Sequence, residues 1–202
     1  MMTLLLIFAL VGFMQSTYGF QPSSLITSRQ STVHSSTSLF DTATEVEENM
    51  KEQHGIFYNL ILSKNKNVWK ELSDPNAAGF TIFAPTDEAM ESLGNKKLNQ
   101  LVDDRNRETA EKIAEWHVVN EPVGAWDLIT SGGVVTMGGT VDIGKSKVGG
   151  FLGFGGEEDG GVLVSGRKIL ESKQVDKVTI HVMDGLVSPD ILWRYMDQLR
   201  IL

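Results

Sequence analysis

Three groups of residues in this 202-residue sequence have types and spacing that could do chemistry. Gly139-Thr140-Val141-Asp142-Ile143-Gly144-Lys145-Ser146 satisfies the Walker A pattern of a phosphate-binding loop. Such a loop needs a strand before it and a helix starting at its Lys-Ser, so that backbone N–H groups face the phosphates. Here Val141 to Ile143 read as strand and Lys147-Val148-Gly149-Gly150 cannot start a helix, so a β-hairpin turn is expected instead. His117 and His181 could act as base or ligand, and His54 is the third histidine of the prospective core. No second ligand lies three or four residues away on a helix, which favours hydrogen-bonded structural histidines. Glu157, Glu158 and Asp159 could meet a cation, yet they lack the alternating spacing of a calcium loop and read as a solvated acidic loop. There is no cysteine, which excludes disulfides and thiolate chemistry, and no Gly-x-Ser-x-Gly elbow. These residues predict no catalytic group, no metal and no cofactor.

The elements that would carry them begin after a leader. Leu4 to Met14 is an apolar run too short to span a bilayer and of signal-peptide length, ending near Gly19. Residues 20–40 then hold ten Ser or Thr and no acid, with Arg29 the sole charged side chain before Asp41. That composition predicts a transit peptide behind a signal peptide (1–19), with cleavage between Gly19 and Phe20. The order resembles the bipartite leader of algae with secondary plastids, where an aromatic residue follows the cleavage site, and it implies a plastid reached through the secretory pathway. A secreted protein with a Ser/Thr linker is the alternative. No further apolar segment predicts a transmembrane span in the mature chain. The net charge of −8, without a basic stripe, argues against nucleic acid as a partner.

Apolar spacing predicts helix from Gln53 to Leu72, interrupted at Lys64-Asn65-Lys66, and a buried strand from Phe80 to Ala84. A helix capped by Thr86 and ended at Gly94 should follow. Another helix is expected from Glu108 to Val119, with His117 on its apolar face. Beyond Val123 the β-branched runs Val134–Ile143, Val162–Leu170 and Val175–Met183 predict strands. Gly149–Gly161, with seven glycines in thirteen residues, predicts a mobile loop. A last stripe through Ile191, Leu192, Tyr195, Met196 and Leu199 predicts a C-terminal helical tail at 193–202. The pattern is α+β, one domain over residues 45–192.

Three motifs in this order carry a family resemblance. Gly79-Phe80-Thr81-Ile82-Phe83-Ala84-Pro85-Thr86-Asp87-Glu88-Ala89 resembles the first signature of fasciclin (FAS1) domains. Trp116-His117-Val118-Val119 is similar to the family's Tyr-His-Val-Val, and Ile180-His181-Val182-Met183-Asp184-Gly185-Leu186-Val187-Ser188-Pro189 to its closing signature. The resemblance implies a single FAS1-like domain, a wedge of β-strands with a layer of α-helices. It also implies a non-catalytic adhesion or interaction module for a protein or glycan partner. Lys177-Val178 stand where the family usually has Asn-Gly, and Glu171–Val175 do not match the Asp-Ile tract of adhesive animal members, so integrin-type adhesion is not carried over. Candidate partner contacts are Phe151, Leu152 and Phe154 on the Gly-rich loop and Trp193, Tyr195 and Met196 on the last helix. The alternatives are a structural subunit or assembly factor of a larger plastid complex, and, behind it, a small-ligand carrier or enzyme.

Overall fold

The computed structural model describes residues 39–74, 76–149 and 157–198. The expected leader, the expected Gly19–Phe20 cleavage site and the loop residues Phe151, Leu152 and Phe154 lie outside the described residues. The first elements are helices α1 (Leu39–Gln53), α2 (Gly55–Leu60) and α3 (Lys66–Leu72), then strand β1 (Phe80–Pro85), helices α4 (Asp87–Glu91), α5 (Gly94–Val102) and α6 (Arg107–Glu115), and strand β2 (Val118–Val119). Helix α7 (Ala125–Ser131) precedes β3 (Gly133–Thr136), β4 (Gly139–Val148), β5 (Glu157–Val164), β6 (Arg167–Val175), β7 (Val178–Met183) and α8 (Asp190–Gln198).

The seven strands form one sheet in the order β2-β1-β7-β6-β5-β4-β3. β1 and β7 are parallel, with Phe83 opposite His181, and every other pair is antiparallel. Twist brings the outer strands together. The Met137 N–H donates to the Val118 carbonyl at 2.8 Å, and Gly138 N–H to that of Glu115 at 3.0 Å, so the sheet nearly closes. A Cβ at Gly138 would lie 2.5 Å from the Trp116 ring, so the β3–β4 turn can pass the indole only as glycine.

The central parallel pair is buried on both faces. Phe80, Ile82, Ala84, Val178 and Ile180 face the helices, packing with Val46, Met50, Phe57, Ile61, Ile113, Leu192 and Met196. Phe83 and Met183 face the other way, into a second core with Val119, Leu128, Val141, Val164 and Val187. Each β-strand side chain alternates faces, which is why one strand supplies two cores.

Several expected elements differ. The interruption at Lys64-Asn65-Lys66 is a helix cap: the Asn65 side-chain oxygen accepts from the N–H groups of Asn67 at 2.9 Å and Val68 at 3.1 Å. Gly94, at φ +79°, turns the chain from α4 into a further helix rather than ending the helical stretch. The helix expected from Glu108 to Val119 stops at Glu115, because Val118 and Val119 pair with Ile82 and Thr81 as β2. Gly139–Ser146 is strand, and the turn falls one step earlier, at Met137-Gly138. Glu157–Gly161, expected in a mobile loop, belong to β5. Of the anticipated tail at 193–202, the described residues 193–198 continue α8, and Met196 sits in the helix-side core.

Candidate functional site

The motif residues converge on the centre of the sheet, where their polar atoms are consumed within the domain, mostly by backbone. His117 follows α6 and is fully buried against Phe57, ring centroids 4.9 Å apart. Its Nε2 accepts the Val187 N–H at 2.9 Å, which leaves Nδ1–H to donate to the Ile113 carbonyl at 2.8 Å. Burial holds the ring neutral and pushes its pKa down to about 4. Thus His117 ties α6 to the segment after β7, with no nitrogen left for a metal or a substrate.

His181, on β7, stacks on Phe83 with centroids 5.7 Å apart. Its Nε2–H donates to the Val123 carbonyl at 2.9 Å, so Nδ1 accepts from the Ser172 hydroxyl at 2.7 Å. A hydroxyl on an imidazole is the geometry of a nucleophile and its base. Here, however, a carbonyl stands where a carboxylate would stabilise the imidazolium, and burial lowers the pKa of the ring, so the pair makes a weak base. Ser172 and His181 are simply opposite one another in the β6–β7 ladder.

Thr81 completes the fastening. Its Oγ1 donates to the Glu121 carbonyl at 2.8 Å and accepts the Val123 N–H at 2.7 Å. Together Thr81 and His181 pin the Glu121-Pro122-Val123 loop, which leads directly into α7. The other motif residues are equally occupied. Phe80, Phe83 and Ala84 fill the two cores, and Thr86 caps α4 through Ala89 N–H at 3.1 Å. The Pro85 carbonyl meets His54 Nδ1 at 2.9 Å. Val118 is the buried strand partner of Ile82, and Val182 is half-buried opposite Ala84. Asp184 Oδ1 accepts the Lys168 N–H at 2.7 Å, and the Pro189 carbonyl accepts from Leu192 N–H at 3.1 Å as α8 begins.

The phosphate-loop and acidic-loop residues lie in a ladder. Lys145 pairs with Glu158 at 3.0 Å, and the Ser146 hydroxyl donates to Asp159 at 3.2 Å. The Lys168 ammonium also contacts Asp159 and, ahead of the Gly161 N–H, holds its carboxyl down to about 2. Among the described residues no group of three or more His, Asp or Glu is placed to hold a metal ion. Nor is any described helix long and apolar enough to cross a membrane.

Of the candidate contacts on α8, Met196 is wholly buried and is corrected to a core residue. Trp193 is half-buried, its indole N–H donating to Ser188 Oγ at 2.8 Å beneath the Lys97 ammonium. Tyr195, by contrast, is 51% exposed. Sequence reasoning missed the most exposed aromatic described, Trp126 on α7, at 74%, and Val135 on β3, at 69%. A groove of about 410 Å³ lies between α7 and β3, lined by Glu121, Pro122, Val123, Asp127, Ser131 and Val135 among others. A second groove, also about 410 Å³, lies along Pro122, Gly124, Ser172 and Thr179. The pinned loop is therefore the ridge common to both.

Comparison with known proteins agrees with this geometry. A family model described as Fasciclin domain matches residues 52–189. No curated protein matches the chain. Among solved structures it is similar to the FAS1 domain pair of the insect cell adhesion molecule fasciclin I, with 15% identity and a TM-score of 0.54. That match covers 73% of this chain and 51% of the other, so the chain spans about half the length of its structural relative. At this identity the likeness is one of fold.

Proposed function

This chain belongs to the fasciclin-domain family, and on that premise we propose that it is a non-catalytic interaction module, binding a protein or glycan partner within a plastid. One observation carries the reading: the polar atoms of the motif histidines and of Thr81 are spent on backbone partners and the Ser172 hydroxyl, while large apolar side chains, Trp126 foremost, stand in solvent. Buried, satisfied polar groups build a scaffold, whereas exposed aromatics are what association surfaces are made of. The insect relative is a cell adhesion molecule. The Ser/Thr-rich, acid-free leader supports the plastid address.

Sedimentation of the protein from gently lysed cells tests the module, and a fluorophosphonate tests the catalytic alternative. The expected result is a particle well above 22.2 kDa and no labelling of Ser172. Sedimentation as a free chain, together with a labelled Ser172, would overturn the reading. For the address, a C-terminal fluorescent fusion should enter the plastid and its Phe20→Ala form should not; secretion of both would place the partner outside the cell.

A further inference from the structure

We propose that the groove between α7 and β3 binds a short peptide segment of the partner in which a Lys or Arg adjoins a large apolar residue. The proposal rests on the module reading and names the partner's chemistry. The groove's described lining all comes from Glu121–Val135, inside a stretch, Ile113 to Gly144, that contains no Lys or Arg. Its two carboxylates, Glu121 and Asp127, have no ion pair among the described residues. The lining of the groove is therefore anionic and complementary to a cation brought from outside.

The rest of the lining sets the other half of the match. Pro122, Val123 and Val135 make an apolar wall, and Val135 is mostly exposed. Trp126 is outside the lining itself but precedes Asp127 on the solvent side of α7, opposite the buried Leu128, and offers an aromatic face to a cation or an apolar side chain at the edge of the groove. The groove, about 410 Å³, is open to solvent, so a peptide segment can lie in it from the surface. The loop forming one wall is held by Thr81 and His181, so little ordering accompanies binding. A neutral glycan could stack on Trp126 but would leave both carboxylates unmatched, and an acidic polymer would be repelled.

Random heptapeptides displayed on phage and selected on the full chain test this directly, with fluorescein-labelled versions of the selected peptides used for affinity. Enriched peptides should carry Arg or Lys beside Leu, Phe or Trp. Their affinity should fall about tenfold or more in Glu121→Gln/Asp127→Asn and in Trp126→Ala, and severalfold as salt rises to about 0.5 M, as desolvated and screened charge pairs do. Each altered side chain is solvent-facing, and an unchanged melting temperature verifies folding. Failure to enrich peptides, enrichment of neutral or acidic ones, or equal binding to the double variant would overturn the proposal. So would a neutral oligosaccharide whose binding depends on Trp126 and not on the carboxylates. If the double variant still enters the large particle, the groove assignment falls and the module stands; if the unaltered chain forms no particle, the module itself falls.

Discussion

At the scale of single residues, a buried histidine is used here for its neutrality. His117 would protonate near 6.5 in the unfolded chain and near about 4 when folded, because burial disfavours the charge. Between those values the unfolded chain binds the extra proton, so stability is full above pH 6.5 and falls as pH drops toward 4. The loss from this group is on the order of 3 kcal/mol. His54 and His181 are shifted in the same direction by the same cause and add to it. Urea unfolding at pH 7 and pH 4.5 should show the drop. His117→Gln should be less stable at pH 7, by about 1–3 kcal/mol, if the Val187 N–H loses its acceptor, and should depend less on pH. An equal slope in the variant would assign the acid sensitivity elsewhere.

At the scale of elements, the helix-side stripe of α8 separates what packs from what is offered to solvent. Met196→Ala should cost about 2–5 kcal/mol in a denaturant titration, as core truncations do, while Tyr195→Ala should cost little. A small cost at Met196 would mean that α8 does not dock on its own domain. The sequence made this stripe legible as a helix, as it did the Phe80–Pro85 strand running into the Thr86 cap, because periodicity and capping are local. It did not show that Met196 is covered and Trp126 bare, since burial is decided by what the fold brings opposite. α1 was missed because its polar, acidic turns bury only Val46 and Met50 among the side chains described. α7 was missed because seven residues with one buried position, Leu128, have no period to read. β2 was read as helix because its two residues become strand only through β1, far away in sequence.

At the scale of the molecule, the fold divides labour between a buried signature and an exposed rim. His117 joins α6 to the segment beyond β7, and Thr81 and His181 root the Pro122 loop in the parallel pair at the centre of the sheet. That loop then carries α7 and the groove to the surface. Motif residues consequently identified the family and the fold, yet none of them lines the groove between α7 and β3; they fix its position. Hydrogen exchange on the large particle purified from cells, compared with the free chain, tests this division most directly. The account predicts slower exchange of backbone amides confined to residues 121–136, with the amides around His117 and His181 equally protected in both states. Protection on α8 or α1 alone, or no difference anywhere, would contradict it.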